Sequence, residues 1–136
     1  MRKMFALFFA MATIFGQPTL AESAAAGLHV EKMMVGTAID DHDLKGAADT
    51  FDANIPRLYC WTKVTAATTP TTVKHIWYAD GKQVAEVALP IKYPSTRTWS
   101  SKTPSAGAWK VEAVDESGVL LSSMTFTVTA AKAETH

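Results

Sequence analysis

One cysteine, Cys60, stands alone in 136 residues. A lone cysteine excludes an intrachain disulfide framework and any cysteine-rich zinc or iron–sulfur centre. An excess of charge of one sign is missing as well, since Lys plus Arg and Asp plus Glu both total 13. Two of the bases, Arg2 and Lys3, precede residue 21, whereas every acid follows it, so the remainder holds 11 bases against 13 acids, a net charge of −2. A chain without a basic stripe is a poor nucleic-acid binder. No run after residue 21 is apolar enough to cross a bilayer, and no segment keeps a sustained 3.6-residue period. At this length there is room for one domain core only.

The first twenty-one residues read as an address. Arg2 and Lys3 make a basic start, Met4 to Phe15 is uncharged and mostly apolar, and Gly16-Gln17-Pro18 breaks any helix. Thr19-Leu20-Ala21 then places small residues three before and one before a cut. These are the three regions of a secretory signal peptide, and twelve residues fall short of the ~20 that a spanning helix needs. The expected product is exported, periplasmic or extracellular, from Glu22 onward. In an oxidising compartment Cys60 is then either buried and inert or open to an intermolecular bridge, and burial is the expectation.

The remainder reads as strands. Residues 22–54 form an N-terminal segment with a first strand from His29 to Ile39, followed by an acidic stretch, Asp40 to Asn54, expected to be a loop or a short turn of helix. Residues 55–129 carry six further runs rich in Val, Ile, Thr and aromatics, at 57–66, 71–79, 83–91, 96–102, 109–115 and 119–129. Turn signals separate them, the sharpest being Asp80-Gly81, and a polar tail, 130–136, follows. The pattern predicts an all-β fold, an immunoglobulin-like antiparallel β-sandwich of about seven strands.

Alternation sorts side chains onto faces. Leu58, Cys60, Thr62 and Val64 share one face and Tyr59, Trp61 and Lys63 the other. Val73, His75, Trp77 and Ala79 oppose Lys74, Ile76 and Tyr78. Trp109, Val111 and Ala113 read as core, as do Leu120, Met124, Phe126 and Val128 on the last strand. Arg97 shares a face with Trp99.

Several of these residues form an ordered series: Cys60-Trp61, His75-x-Trp77, Arg97-Thr98-Trp99-Ser100-Ser101-Lys102, and Gly107-x-Trp109-x-Val111. Asp115-x-x-Gly118-Val119-Leu120 and Phe126-x-Val128 complete it. The series resembles the bacterial family known as domain of unknown function 2914, over roughly residues 55 to 129. That resemblance implies a small β-rich domain of exported or envelope proteins with no assigned activity, and it carries no site residues across.

The chemistry must come from the side chains themselves. Flat aromatic rings edged by charged forks accept the apolar faces of sugars while fixing carboxylates or hydroxyls. Trp61, His75, Trp77, Arg97, Trp99, Ser100 and Lys102 are the candidate ligand-binding residues of such a surface, set against a core-building role for the same tryptophans. No catalytic residue is expected: Cys60 with His75 lacks a third orienting group, and Ser100 and Ser101 lack a Gly-x-Ser-x-Gly elbow. No metal site or cofactor is expected either, because the histidines are scattered and the Asp40-Asp41-His42-Asp43 cluster lacks EF-hand spacing. The partners this leaves are a glycan or an envelope protein. The function read from the sequence is an exported, non-catalytic binding module of the bacterial cell envelope. The alternative is a structural or self-assembling module that pairs through a sheet edge with itself or another exported protein.

Overall fold

Asp80 and Gly81 both adopt positive φ, 52° and 81°, as a two-residue hairpin turn demands, and they join the strands Thr71–Ala79 (β6) and Lys82–Ile91 (β7). This hairpin belongs to a computed structural model that describes residues 27–130; the signal segment and the end of the polar tail lie outside the described residues. Before it come His29–Gly36 (β1), Ala38–Asp40 (β2), Asp43–Lys45 (β3), Thr50–Asp52 (β4) and Leu58–Thr65 (β5). After it come Ser95–Lys102 (β8), Gly107–Asp115 (β9) and Leu120–Thr129 (β10).

Two sheets face each other. One has the order β1-β5-β8 and the other β4-β10-β9-β6-β7, while β2 and β3 form a separate two-stranded hairpin. The connections β5→β6, β7→β8 and β8→β9 each cross from one sheet to the other. This is the immunoglobulin-like path, with β10-β9-β6-β7 in the G-F-C-C′ order. The first strand ends at Gly36 rather than Ile39, and the other six long strands match the sequence expectation to within two residues at each end. Two further features depart from it. The acidic stretch 40–54, expected to be a loop or a turn of helix, holds the last residue of β2 and the whole of β3 and β4 with turns between them, and β4 pairs with β10 in parallel, the one departure from an antiparallel sandwich.

The inward faces build two apolar clusters. The larger gathers Val35, Leu58, Cys60, Trp77, Trp109, Val111 and Phe126. In it the Trp109 and Phe126 rings stack at 5.8 Å, and Trp77 stands edge-on to Trp109 at 6.2 Å. The smaller gathers Leu28, Val64, Val73, Leu89 and Ile91. Between them on β5 stands Thr62 and on β6 stands His75, both fully buried. Cys60 is buried as expected, and desolvation pushes its thiol far above the ordinary range.

One core expectation fails locally. Leu120 pairs with Val114 and Ser122 with Ala113, leaving Leu121 as an extra residue in β10. That bulge reverses the alternation, so Leu120 turns outward and is 53% exposed, while Met124, Phe126 and Val128 keep their inward aim.

Candidate functional site

The seven residues singled out from the sequence fall on two sides of the β1-β5-β8 sheet, with His75 and Trp77 reaching its inner side from β6 of the facing sheet. On the inner side the hydroxyl of Ser100 lies 2.7 Å from His75 Nδ1 and accepts the indole N–H of Trp77 at 3.0 Å. His75 Nε2 lies 3.2 Å from the Thr62 hydroxyl, which donates to the carbonyl of Thr98 at 3.3 Å. Thr62 has one hydroxyl proton and gives it to the Thr98 carbonyl, so in a neutral ring His75 Nε2–H donates to Thr62, and Nδ1 accepts from Ser100, which in turn accepts from the Trp77 indole. Every polar atom in this band is satisfied by a neutral, Nε2-protonated imidazole. Burial lowers the His75 pKa to about 4, and protonating Nδ1 would set a second donor against the Ser100 hydroxyl.

These residues correct the expected surface. His75 and Trp77 have no exposure and Ser100 is 6% exposed, so none of the three offers a face to a ligand. Lys102 partners Leu58 at the end of the same inner row and is half-buried there, away from Arg97 and Trp99. Alternation grouped His75 with Trp77 correctly, but it does not say which face of a strand meets the opposite sheet.

On the outer side three residues do come together. Trp61 and Trp99 are register partners on β5 and β8, and Lys63 and Arg97 are the next pair along. The β2–β3 hairpin folds across this face, and the His42 carbonyl accepts the Trp61 indole N–H at 2.8 Å. Trp61 is therefore 5% exposed although it points away from the sandwich interior. His42 stands edge-on to Trp99 at 5.7 Å, and Asp43 Oδ1 meets Arg97 Nη1 at 2.8 Å. Trp99 stays half-buried and Arg97 exposed. At the rim, Arg57 Nε donates to Ser101 Oγ at 2.9 Å.

Local sequence explains why the hairpin can sit so close. A Cβ on Gly36 would stand 2.5 Å from the Lys45 carbonyl oxygen and 2.8 Å from Leu44 Cγ. Asp41 and His42 hold positive φ, 55° and 68°, at the hairpin tip. Asp and His are among the non-glycine residues that adopt this conformation most readily, and here the His42 carbonyl and ring both meet tryptophans. Sequence reasoning missed the hairpin and with it His42 and Asp43 as members of this face, and it set Tyr59 and Lys63 beside Trp61 without naming either as a candidate. The visible signal was Asp40-Asp41-His42-Asp43, which marks a two-residue turn once Ala38-Ile39 and Leu44-Lys45 are read as short strands.

The five-stranded sheet carries a different feature, an open groove of about 560 Å³ that includes Asp49, Thr50, Tyr78, Lys110, Thr125 and Thr127 in its lining. Lys110 stands 4.7 Å from the centre of the Tyr78 ring and 3.2 Å from Glu112, to which the Tyr78 hydroxyl also donates. None of the residues singled out from the sequence lies there.

Comparison with known proteins finds two solved structures that this chain resembles distantly. The CARDB domain of the PF1109 protein from Pyrococcus furiosus, solved in complex with di-metal ions, is 16% identical, with 76% of this chain and 87% of that one covered and a TM-score of 0.46. A Niemann-Pick type C2 protein from the Japanese carpenter ant is 11% identical, covering 79% of this chain and 96% of that one, with a TM-score of 0.39. No curated protein matches the chain. Residues 70–128, from the start of β6 almost to the end of β10, match the family described as "Protein of unknown function (DUF2914)", the family the sequence resembles, though the match begins after Cys60-Trp61.

Proposed function

We propose that this chain is an exported, non-catalytic binding module of the bacterial cell envelope, recognising a glycan or cell-wall polymer through the outer face of β1-β5-β8. The observation that carries this reading is the pairing of a half-buried Trp99 with an exposed Arg97, on a sheet face that also holds Trp61 and Tyr59. An indole offers a flat apolar contact to a pyranose ring, and a guanidinium beside it forks onto oxygen acceptors. Export rests on the basic start, apolar run and small-residue cut site at residues 1–21.

The 2.7 Å Ser100–His75 contact has the look of a nucleophile and its base. Both residues are sealed in the core and Ser100 already accepts from Trp77, which favours binding over hydrolysis. Self-assembly through β7 is the less favoured reading. Its free edge is blunted by Pro90 and by Val84, an extra residue between the Trp77–Ala85 and Tyr78–Gln83 pairs.

Intrinsic fluorescence, titrated with polysaccharide and peptidoglycan fractions at two protein concentrations, tests the proposal. A saturable shift independent of protein concentration, and lost in a folded Arg97→Ala variant, supports it. No shift with any fraction, but a change between the two concentrations, transfers the assignment to self-assembly.

A further inference from the structure

Three cations stand opposite one another across the small sheet. Lys32, Lys63 and Arg97 are register partners on β1, β5 and β8, so their side chains leave the same outward face on neighbouring strands. Directly opposed like charges in a sheet repel and weaken the pairing. The next row is Met34, Trp61 and Trp99, so the basic ladder runs beside an apolar and aromatic one.

The chain answers only part of this repulsion. Glu31 reaches Lys63 at 3.7 Å, and Asp43 comes over on the β2–β3 hairpin to meet Arg97 at 2.8 Å. Lys32 has no carboxylate partner among the described residues. The Arg97–Asp43 pair is 46% and 57% exposed, in the regime where an ion pair holds only weakly and salt or a competing anion displaces it.

Asp43 does not act alone. The adjacent residue, His42, sets its ring against Trp99 at 5.7 Å with an interplanar angle of 69°. Two consecutive residues thus place a carboxylate on the guanidinium and a ring on the indole. A sugar ring bearing its own carboxylate would make the same two contacts. Neighbouring strands are about 4.8 Å apart, so an acidic polymer laid across them would meet a new cation at each strand.

We infer that the ligand of this face is a carboxylated glycan, its acid group on Arg97 and its ring on Trp99, and that His42-Asp43 is a built-in surrogate which the ligand displaces. The inference rests on the glycan-binding reading above and names the class of glycan. Lys63 and Lys32 extend the site to further acid groups along the polymer.

The test titrates the purified chain with oligogalacturonate, with a neutral dextrin of equal length and with poly-glutamate, by calorimetry and Trp fluorescence at low ionic strength. Oligogalacturonate should bind and the other two should not. Asp43→Asn removes the surrogate carboxylate while leaving the hairpin backbone, and should tighten oligogalacturonate binding about two- to fivefold. Lys32→Ala should weaken it and flatten its salt dependence. Dextrin bound as tightly as oligogalacturonate, or an Asp43→Asn variant no tighter than the parent, overturns the inference and leaves the glycan reading standing. Poly-glutamate bound as tightly as oligogalacturonate, or no saturable binding by either glycan, overturns both.

Discussion

His75 Nδ1 lies 2.7 Å from the hydroxyl of Ser100, and this contact ties the two sheets together midway between their two apolar clusters. The imidazole is neutral there because burial disfavours its charged form and both ring nitrogens are already used. Among the described residues its side-chain hydrogen-bond partners are the hydroxyls of Thr62 and Ser100, and no carboxylate there stands by to stabilise a proton.

Stability should therefore fall in acid through this one residue. The folded pKa is about 4 and the unfolded value 6.5. Above pH 6.5 neither state binds the proton and stability is at its full value. Between 6.5 and 4 the unfolded chain takes up a proton that the native state refuses, so stability drops as the pH falls, by about 2–3 kcal/mol near pH 4.5. Urea unfolding from pH 7.5 to 4.5, compared with a His75→Gln variant, measures the effect. Parallel profiles for the two proteins would show that His75 does not carry it.

Ser100→Ala removes the hydroxyl that serves both Trp77 and His75. The indole N–H and Nδ1 are then left without partners in the core, at about 1–3 kcal/mol each for a buried unsatisfied group. The loss should appear as a lower urea midpoint with an unchanged slope. Ligand affinity, read on the folded fraction, should be unaffected, because Ser100 faces the opposite side of the sheet from Trp99. A variant as stable as the parent would mean that another group or a water takes over the hydroxyl's role.

The sequence made the inner and outer rows legible but not their assignment. Alternation places Trp77 with His75 and Trp99 with Arg97, and both pairings hold. Whether a row is core or surface depends on which side of the strand meets the second sheet. That is a long-range fact, and a polar row such as Thr62, His75 and Ser100 gives no hydrophobic hint of it. Trp61 is harder still. It lies on the outer face and is nonetheless buried, because residues 38–45 return over it. That return depends on contacts between residues nineteen or more apart, such as His42 with Trp61 and Asp43 with Arg97. Short three-residue strands leave too little periodicity to be seen, so the acidic stretch looked like a loop.

Gly36→Ala should lift that cover. The added methyl would stand 2.5 Å from a backbone oxygen of β3, which cannot rotate away, so the hairpin must shift outward. The expected cost is about 1–3 kcal/mol of stability. The expected signature is a red-shifted emission with greater acrylamide quenching, as Trp61 and Trp99 gain solvent. An unchanged quenching profile would mean that the hairpin relaxes along the sheet without uncovering either ring.

Replacing tryptophans one at a time separates architecture from recognition. Trp77 is fully buried beside Trp109 and Phe126, and Trp77→Ala should cost about 3–5 kcal/mol, enough to unfold much of a marginally stable domain. Trp99 is only half-buried, on the outer face of an edge strand, and Trp99→Ala should lower stability by no more than about 1–2 kcal/mol. Trp61, Trp77 and Trp109 are at most 5% exposed, so Trp99 is the indole a ligand can reach directly. Trp99→Phe should accordingly remove the part of the ligand-induced fluorescence change that comes from direct contact, leaving only the change of Trp61 as its His42 cover is displaced, while calorimetry still detects weakened binding. If the full fluorescence change survives in Trp99→Phe, the ligand acts elsewhere, and the groove beside Tyr78 and Lys110 becomes the place to look.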